Sequence, residues 1–118
     1  MPAITNIAEE FAVSSAKADA VVSRLIEIAA PRQIYLFGSF VRGDINPDSD
    51  LDVLVVVDDS VANPRQESVR LRHALRGIRM SMDILVVTAS QFTTHRHTPG
   101  FIYREIAEHG RLVYERPC

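Results

Sequence analysis

The period of the apolar residues changes several times along this chain, and each change predicts an element. From 16 to 30, Val21, Val22, Leu25, Ile26 and Ala29 recur at helical spacing, giving one apolar stripe that Pro31 ends. The segment 4–13 reads as a shorter first helix, whose Ile4, Ile7, Phe11 and Val13 either join the core or meet a second copy in a homodimer. "QIYLFG", 33–38, is a short strand of β-branched and aromatic residues closed by Gly38. "LDVLVVV", 51–57, is apolar at both parities, so it predicts a central strand covered on both faces. "SMDILVV", 81–87, is a third strand, and "RLVYE" a small one near the end.

The stretches between these strands carry helix and turn signals. "SFVRG" makes a single helical turn, and "DINPDSD" is a loop by its Asp, Asn, Pro and Ser content. Residues 64–77 predict a helix opened by Pro64 and closed near Gly77, with Val69, Leu71, Leu75 and Ile78 among many arginines. A short helix over 88–95 and another within "PGFIYREIAEHG" follow. In the latter, Phe101, Ile102, Ile106 and Tyr103 are expected to pack mostly into the domain's own core. The pattern is that of an α+β domain, mixed α/β in order, with a small mixed sheet flanked by helices. With 118 residues, the chain reads as one domain over 1–118, without internal repeats.

Composition narrows the function. The 13 basic and 15 acidic residues leave a net charge of -2, so nothing general points to nucleic acid. All the basic side chains but Lys17 are Arg, which suits bidentate contacts to phosphate or carboxylate. Cys118 stands alone at the end, and His95 and His97 in "THRHTPG" lack the spacing of a zinc site. No signal core or bilayer-length apolar run is present in the sequence, so a cytoplasmic location is expected.

The candidate chemistry lies in "FGSFVRGDINPDSDLDVLVVV", 37–57. Asp50 and Asp52 flank one residue at the head of a strand, so their side chains fall on the same face. Unpaired carboxylates there repel each other and resist burial, and a shared cation removes both objections. If the strand carrying Asp83 neighbours that of Asp52, their backbones lie about 4.8 Å apart. Three carboxylates make an oxygen site suited to Mg²⁺, of the kind that holds two metals for phosphoryl transfer. Ahead of them, Gly38 lets phosphate approach the backbone and Ser39 offers a hydroxyl. A P-loop is excluded, because Asp44 and Ile45 stand where that motif needs Lys and Ser or Thr. Arg42 either faces bound phosphates or pairs with Asp44 or Asp48.

Gly38-Ser39, the spacer Phe40 to Ser49, Asp50-x-Asp52 and the later Asp83 in "MDILVV" together resemble the minimal nucleotidyltransferases of the polymerase-beta superfamily. The resemblance covers roughly residues 33 to 87. It implies the polymerase-beta-like core fold, with Gly38, Ser39 and Arg42 toward the triphosphate of ATP. Asp50, Asp52 and Asp83 would bind two Mg²⁺ ions, with Asp83 also helping deprotonate an acceptor hydroxyl. Phe40 stands where polar residues are frequent, which would alter the pocket wall. Many small members of that family are encoded with a helical HEPN-domain toxin, which they neutralise by AMP transfer to a tyrosine, so the resemblance implies an antitoxin of that type. A non-catalytic antitoxin that only binds, and a transferase acting on a small hydroxylated molecule, are the alternatives. Polynucleotide extension fits poorly, although Arg70, Arg72, Arg76 and Arg79 leave the purpose of one basic stretch open.

Overall fold

The computed structural model describes residues 14–43 and 50–117. The helix expected over 4–13, the loop positions 44–49 with Asp44 and Asp48, and Cys118 lie outside the described residues. The first described helix, α1 (Ser15–Ala29), starts where the Ser14 hydroxyl accepts the Lys17 backbone N–H at 3.2 Å. It buries Ala18, Val21 and Leu25, one stripe, and stops at Ala30 in the left-handed region, directly before Pro31.

Strand β1 (Gln33–Phe37) runs into the single turn α2 (Ser39–Arg42). Strand β2 (Leu51–Val57) leads through α3 (Pro64–Ala74) to β3 (Met82–Thr88). The chain then forms α4 (Ala89–His95), α5 (Ile102–His109) and β4 (Arg111–Glu115). The strands make one sheet in the order β3-β2-β1-β4, with β2 parallel to β3 and the other pairs antiparallel. The parallel pair requires a crossover, which α3 supplies.

Helices cover both faces of the sheet, and this is why β2 is apolar at both parities. Leu51, Val53, Val55 and Val57 join Ile34, Leu36 and Ile84 against α1 and α3. Leu54 and Val56 point the other way, into a second cluster with Tyr35, Val87, Phe92 and Ile106 beneath α4 and α5. Asp52 shares the parity of Leu54 and Val56, which sets it on the α4/α5 face.

Several boundaries differ from expectation. Strand β3 is shifted one residue along, to Met82–Thr88, with Leu51 facing Met82 as its first pair and the Leu51 N–H donating to the Ser81 carbonyl at 3.0 Å. Helix α3 ends at Ala74 rather than 77, with Leu75 leaving helical geometry as its cap. Its start follows the expected chemistry, with the Asn63 side chain accepting the Gln66 N–H at 3.1 Å and Pro64 in the first turn. Of the apolar residues expected in the core from α5 and its approach, Ile106 is fully buried, while Phe101 and Ile102 remain 44% and 47% exposed. Phe101 precedes the helix and stacks on His95, with ring centroids 4.3 Å apart, so it packs on a neighbour without entering the core.

Candidate active site

The strand register lays the candidate acids in a row. Phe37 at the end of β1 pairs with Asp52, and Asp52 pairs with Asp83 on β3. Parallel neighbours in register project to the same face, so Asp52 and Asp83 stand side by side above the sheet. Asp50 lies two residues before Asp52, at the same parity.

Gly38 follows Phe37 at φ +77°, a backbone conformation that side-chain-bearing residues rarely adopt. A Cβ added there would stand 2.1 Å from Asp52 Oδ2. The backbone at 38 therefore lies directly against the carboxylate, which brings the turn and the acid together. Gly43, also left-handed, ends α2 with its N–H directed to the carbonyls of Phe40 and Ser39.

A cavity of about 430 Å³ elsewhere, lined by Arg32, Phe92 and Arg116, lies away from these acids. A cavity of about 320 Å³ contains the candidate chemistry: Gly38, Ser39, Arg42 and Asp52 line it together with Ile102, Glu105 and His109 of α5. The sequence marks Ile102 only as a core residue, and it does not single out Glu105 or His109. Their spacing marks one helix face, but only the tertiary fold turns that face toward Asp52. Phe40 departs from expectation, since it packs against the core on the α1/α3 side and does not line this cavity.

Electrostatics set Asp52 apart. Burial pushes its carboxyl above the ordinary range, the charges of Asp83 and Asp50 push it further, and Arg42 pulls the other way. Arg42 thus lies within electrostatic reach of the acids while lining the same cavity. The other two acids have protein partners. Arg72 of α3 holds Asp83 Oδ1 at 2.6 Å, and the Ser81 hydroxyl donates to Asp50. Because α3 packs on the opposite face and β3 is an edge strand, Arg72 meets Asp83 at the open edge of the sheet.

Among the described residues, no group of three His, Cys, Asp or Glu side chains is gathered closely enough to hold a metal ion. The donor set nevertheless fits a hard divalent cation. It is all carboxylate oxygen, two of the acids are in register, and their repulsion at Asp52 is the strain that a cation relieves. Asp83 and Asp50 would exchange Arg72 and Ser81 for that cation. No helix among the described residues is long and apolar enough to cross a membrane.

Comparison with known proteins agrees with the fold. The family model described as "Polymerase beta, Nucleotidyltransferase" matches residues 22–117. No curated protein matches the sequence. Among solved structures, a protein from Sulfolobus solfataricus described as a candidate nucleotidyltransferase superposes with a TM-score of 0.51 at 19% identity, covering 88% of this chain and 91% of its own. A toxin–antitoxin structure with AMP-PNP superposes with a TM-score of 0.55 at 20% identity, covering 83% of this chain and 73% of its own.

Proposed function

Because the chain belongs to the polymerase-beta nucleotidyltransferase family, we propose that it is a Mg²⁺-dependent transferase that moves AMP from ATP to a tyrosine hydroxyl of a partner HEPN-domain toxin, acting in the cytoplasm as its antitoxin. One observation carries this reading: Asp52 stands in register with Asp83 while its carboxylate lies against the open backbone of Gly38. Acids beside a side-chain-free turn are what a nucleoside triphosphate and its counter-ions need. ATP and an antitoxin role draw further support from the toxin–antitoxin of the same fold that carries AMP-PNP.

In this reading Asp50 and Asp52 would hold two Mg²⁺ ions, and Asp83 would contribute to holding one of them. Bound Mg²⁺ supplies charge neutralisation and makes a hydroxyl in contact with it more acidic. Gly38 admits the phosphates to the backbone, and Ser39 and Arg42 bind them. Asp83 accepts the proton of the tyrosine hydroxyl. The freed oxygen forms a bond to the α-phosphorus as the bond to pyrophosphate breaks on the opposite side, so phosphorus keeps its valence and pyrophosphate leaves with the electron pair. Ser39 is a binding group here, since direct transfer to the acceptor hydroxyl needs no covalent enzyme intermediate.

Intact-mass spectrometry of the protein encoded beside this one, after incubation with this chain, ATP and Mg²⁺, tests the reading. The expected result is a gain of one or more AMP units that is absent with Asp50→Ala/Asp52→Ala. Stable association with no mass gain would sink the transferase reading for that acceptor and favour neutralisation by binding alone.

A further inference from the structure

The arginines of α3 and the turn after it divide into two groups. Arg70 is occupied in holding the fold together, bonding Glu67 at 2.7 Å and the Ile28 carbonyl at 3.0 Å. Arg72, Arg76 and Arg79 line a groove of about 630 Å³ with Ser81, and no acidic residue lines it. Two of the groove's residues touch the candidate acids, Arg72 on Asp83 and Ser81 on Asp50. The groove is therefore continuous with the acid row at its β3 end, whereas Gly38, Ser39 and Arg42 lie toward β1.

We propose that this groove docks an acidic stretch of the acceptor protein and brings the acceptor hydroxyl to Asp83 from the β3 edge. The inference rests on the transferase reading for the identity of what docks. The three guanidiniums that line the groove, of which Arg72 already holds one carboxylate in Asp83, complement a run of Asp and Glu. The floor is aliphatic and thioether, Leu75, Ile78, Met80 and Met82, which offers no aromatic face for stacked bases. The chain's net charge of -2 also lacks the broad positive field of a nucleic-acid binder.

Docking in this groove would also act on the acids. The Arg72–Asp83 pair is about half exposed on both sides, 52% and 47%, so exchanging its partner costs little. A carboxylate of the incoming segment competes with Asp83 for Arg72. Asp83 is then released toward Asp52, its neighbour in register. Acceptor binding and completion of the acid set become one event.

Fluorescence anisotropy with a labelled peptide of glutamates flanking one tyrosine, without ATP or Mg²⁺, reads docking directly. Arg76 and Arg79 are exposed and outside the proposed catalytic set, so Arg76→Glu/Arg79→Glu should keep the fold and weaken binding about ten-fold or more. Arg65→Glu, an exposed position on the same helix but outside the groove, should leave it within about two-fold. A peptide with lysine in place of glutamate should not bind. Unchanged affinity in the double variant, or tighter binding of a single-stranded oligouridylate of matching charge, overturns the proposal. Groove-dependent docking without AMP transfer to the neighbour-encoded protein supports the groove and counts against the transferase reading, which keeps the two failures apart.

Discussion

At position 38 an added methyl group meets Asp52 Oδ2 at 2.1 Å, on a backbone already at φ +77°. Gly38→Ala should therefore displace either the turn or the carboxylate, lose AMP transfer, and cost about 1–3 kcal/mol of stability by denaturant unfolding. Asp52 makes a separate prediction. Burial first, then Asp83 and Asp50, raise its pKa in the folded protein. A raised carboxyl stabilises the fold below its unfolded value of about 3.9, and that contribution is lost as pH rises through the folded value. Asp52→Asn should thus raise the melting temperature near pH 7, leave it unchanged near pH 3, and abolish transfer. Calorimetry across that range checks the sign, and a lower melting temperature for the variant at neutral pH would contradict it. The residues of this site differ in how legible they were. Gly38, Asp52 and Asp83 are readable because each is a local anomaly, a glycine ending a strand or an acid interrupting an apolar run, and Asp50 is readable by its two-residue spacing from Asp52. Glu105 and His109 are ordinary polar residues of an amphipathic helix, and nothing local distinguishes a face turned to a cavity from one turned to water.

Elements were legible where their signals are short-range. The Pro64 start of α3 and the doubly apolar β2 follow from the sequence, and the two helical layers explain the latter. The early end of α3 was not legible, because Leu75 continues the apolar spacing after the backbone has left the helix. Leu71 is the one α3 residue that is fully buried within the helix proper, and Leu75 follows it into the same core. The helix is otherwise fastened by polar contacts, including the Ser68 hydroxyl on the Ile84 carbonyl at 2.6 Å. Leu71→Ala should cost about 2–5 kcal/mol, measured by chemical denaturation. Because α3 also carries Arg72, the same variant should weaken peptide docking in the groove more than Arg65→Glu does.

Across the whole molecule, the fold class followed from strand-helix alternation, but strand order did not. Composition alone does not say that β2 pairs on one side with its predecessor and on the other, in parallel, with its successor. Only that arrangement lays Gly38, Asp52 and Asp83 across three adjacent chain segments. The groove became visible for the same reason: its arginines form one short basic stretch in the sequence, and only the sheet edge sets that stretch next to Asp83 and Asp50. The parallel β2–β3 pairing has a temporal consequence during synthesis. A chain growing from its N-terminus completes the Gly-Ser turn and the Asp50–Asp52 pair first, then must close the α3 crossover before Asp83 reaches its place. Such non-local pairing is slow relative to hairpin formation. A ribosome stalled before β3 would thus carry a turn and two acids with no third, leaving a nascent protein that has the signature of the site but not the site.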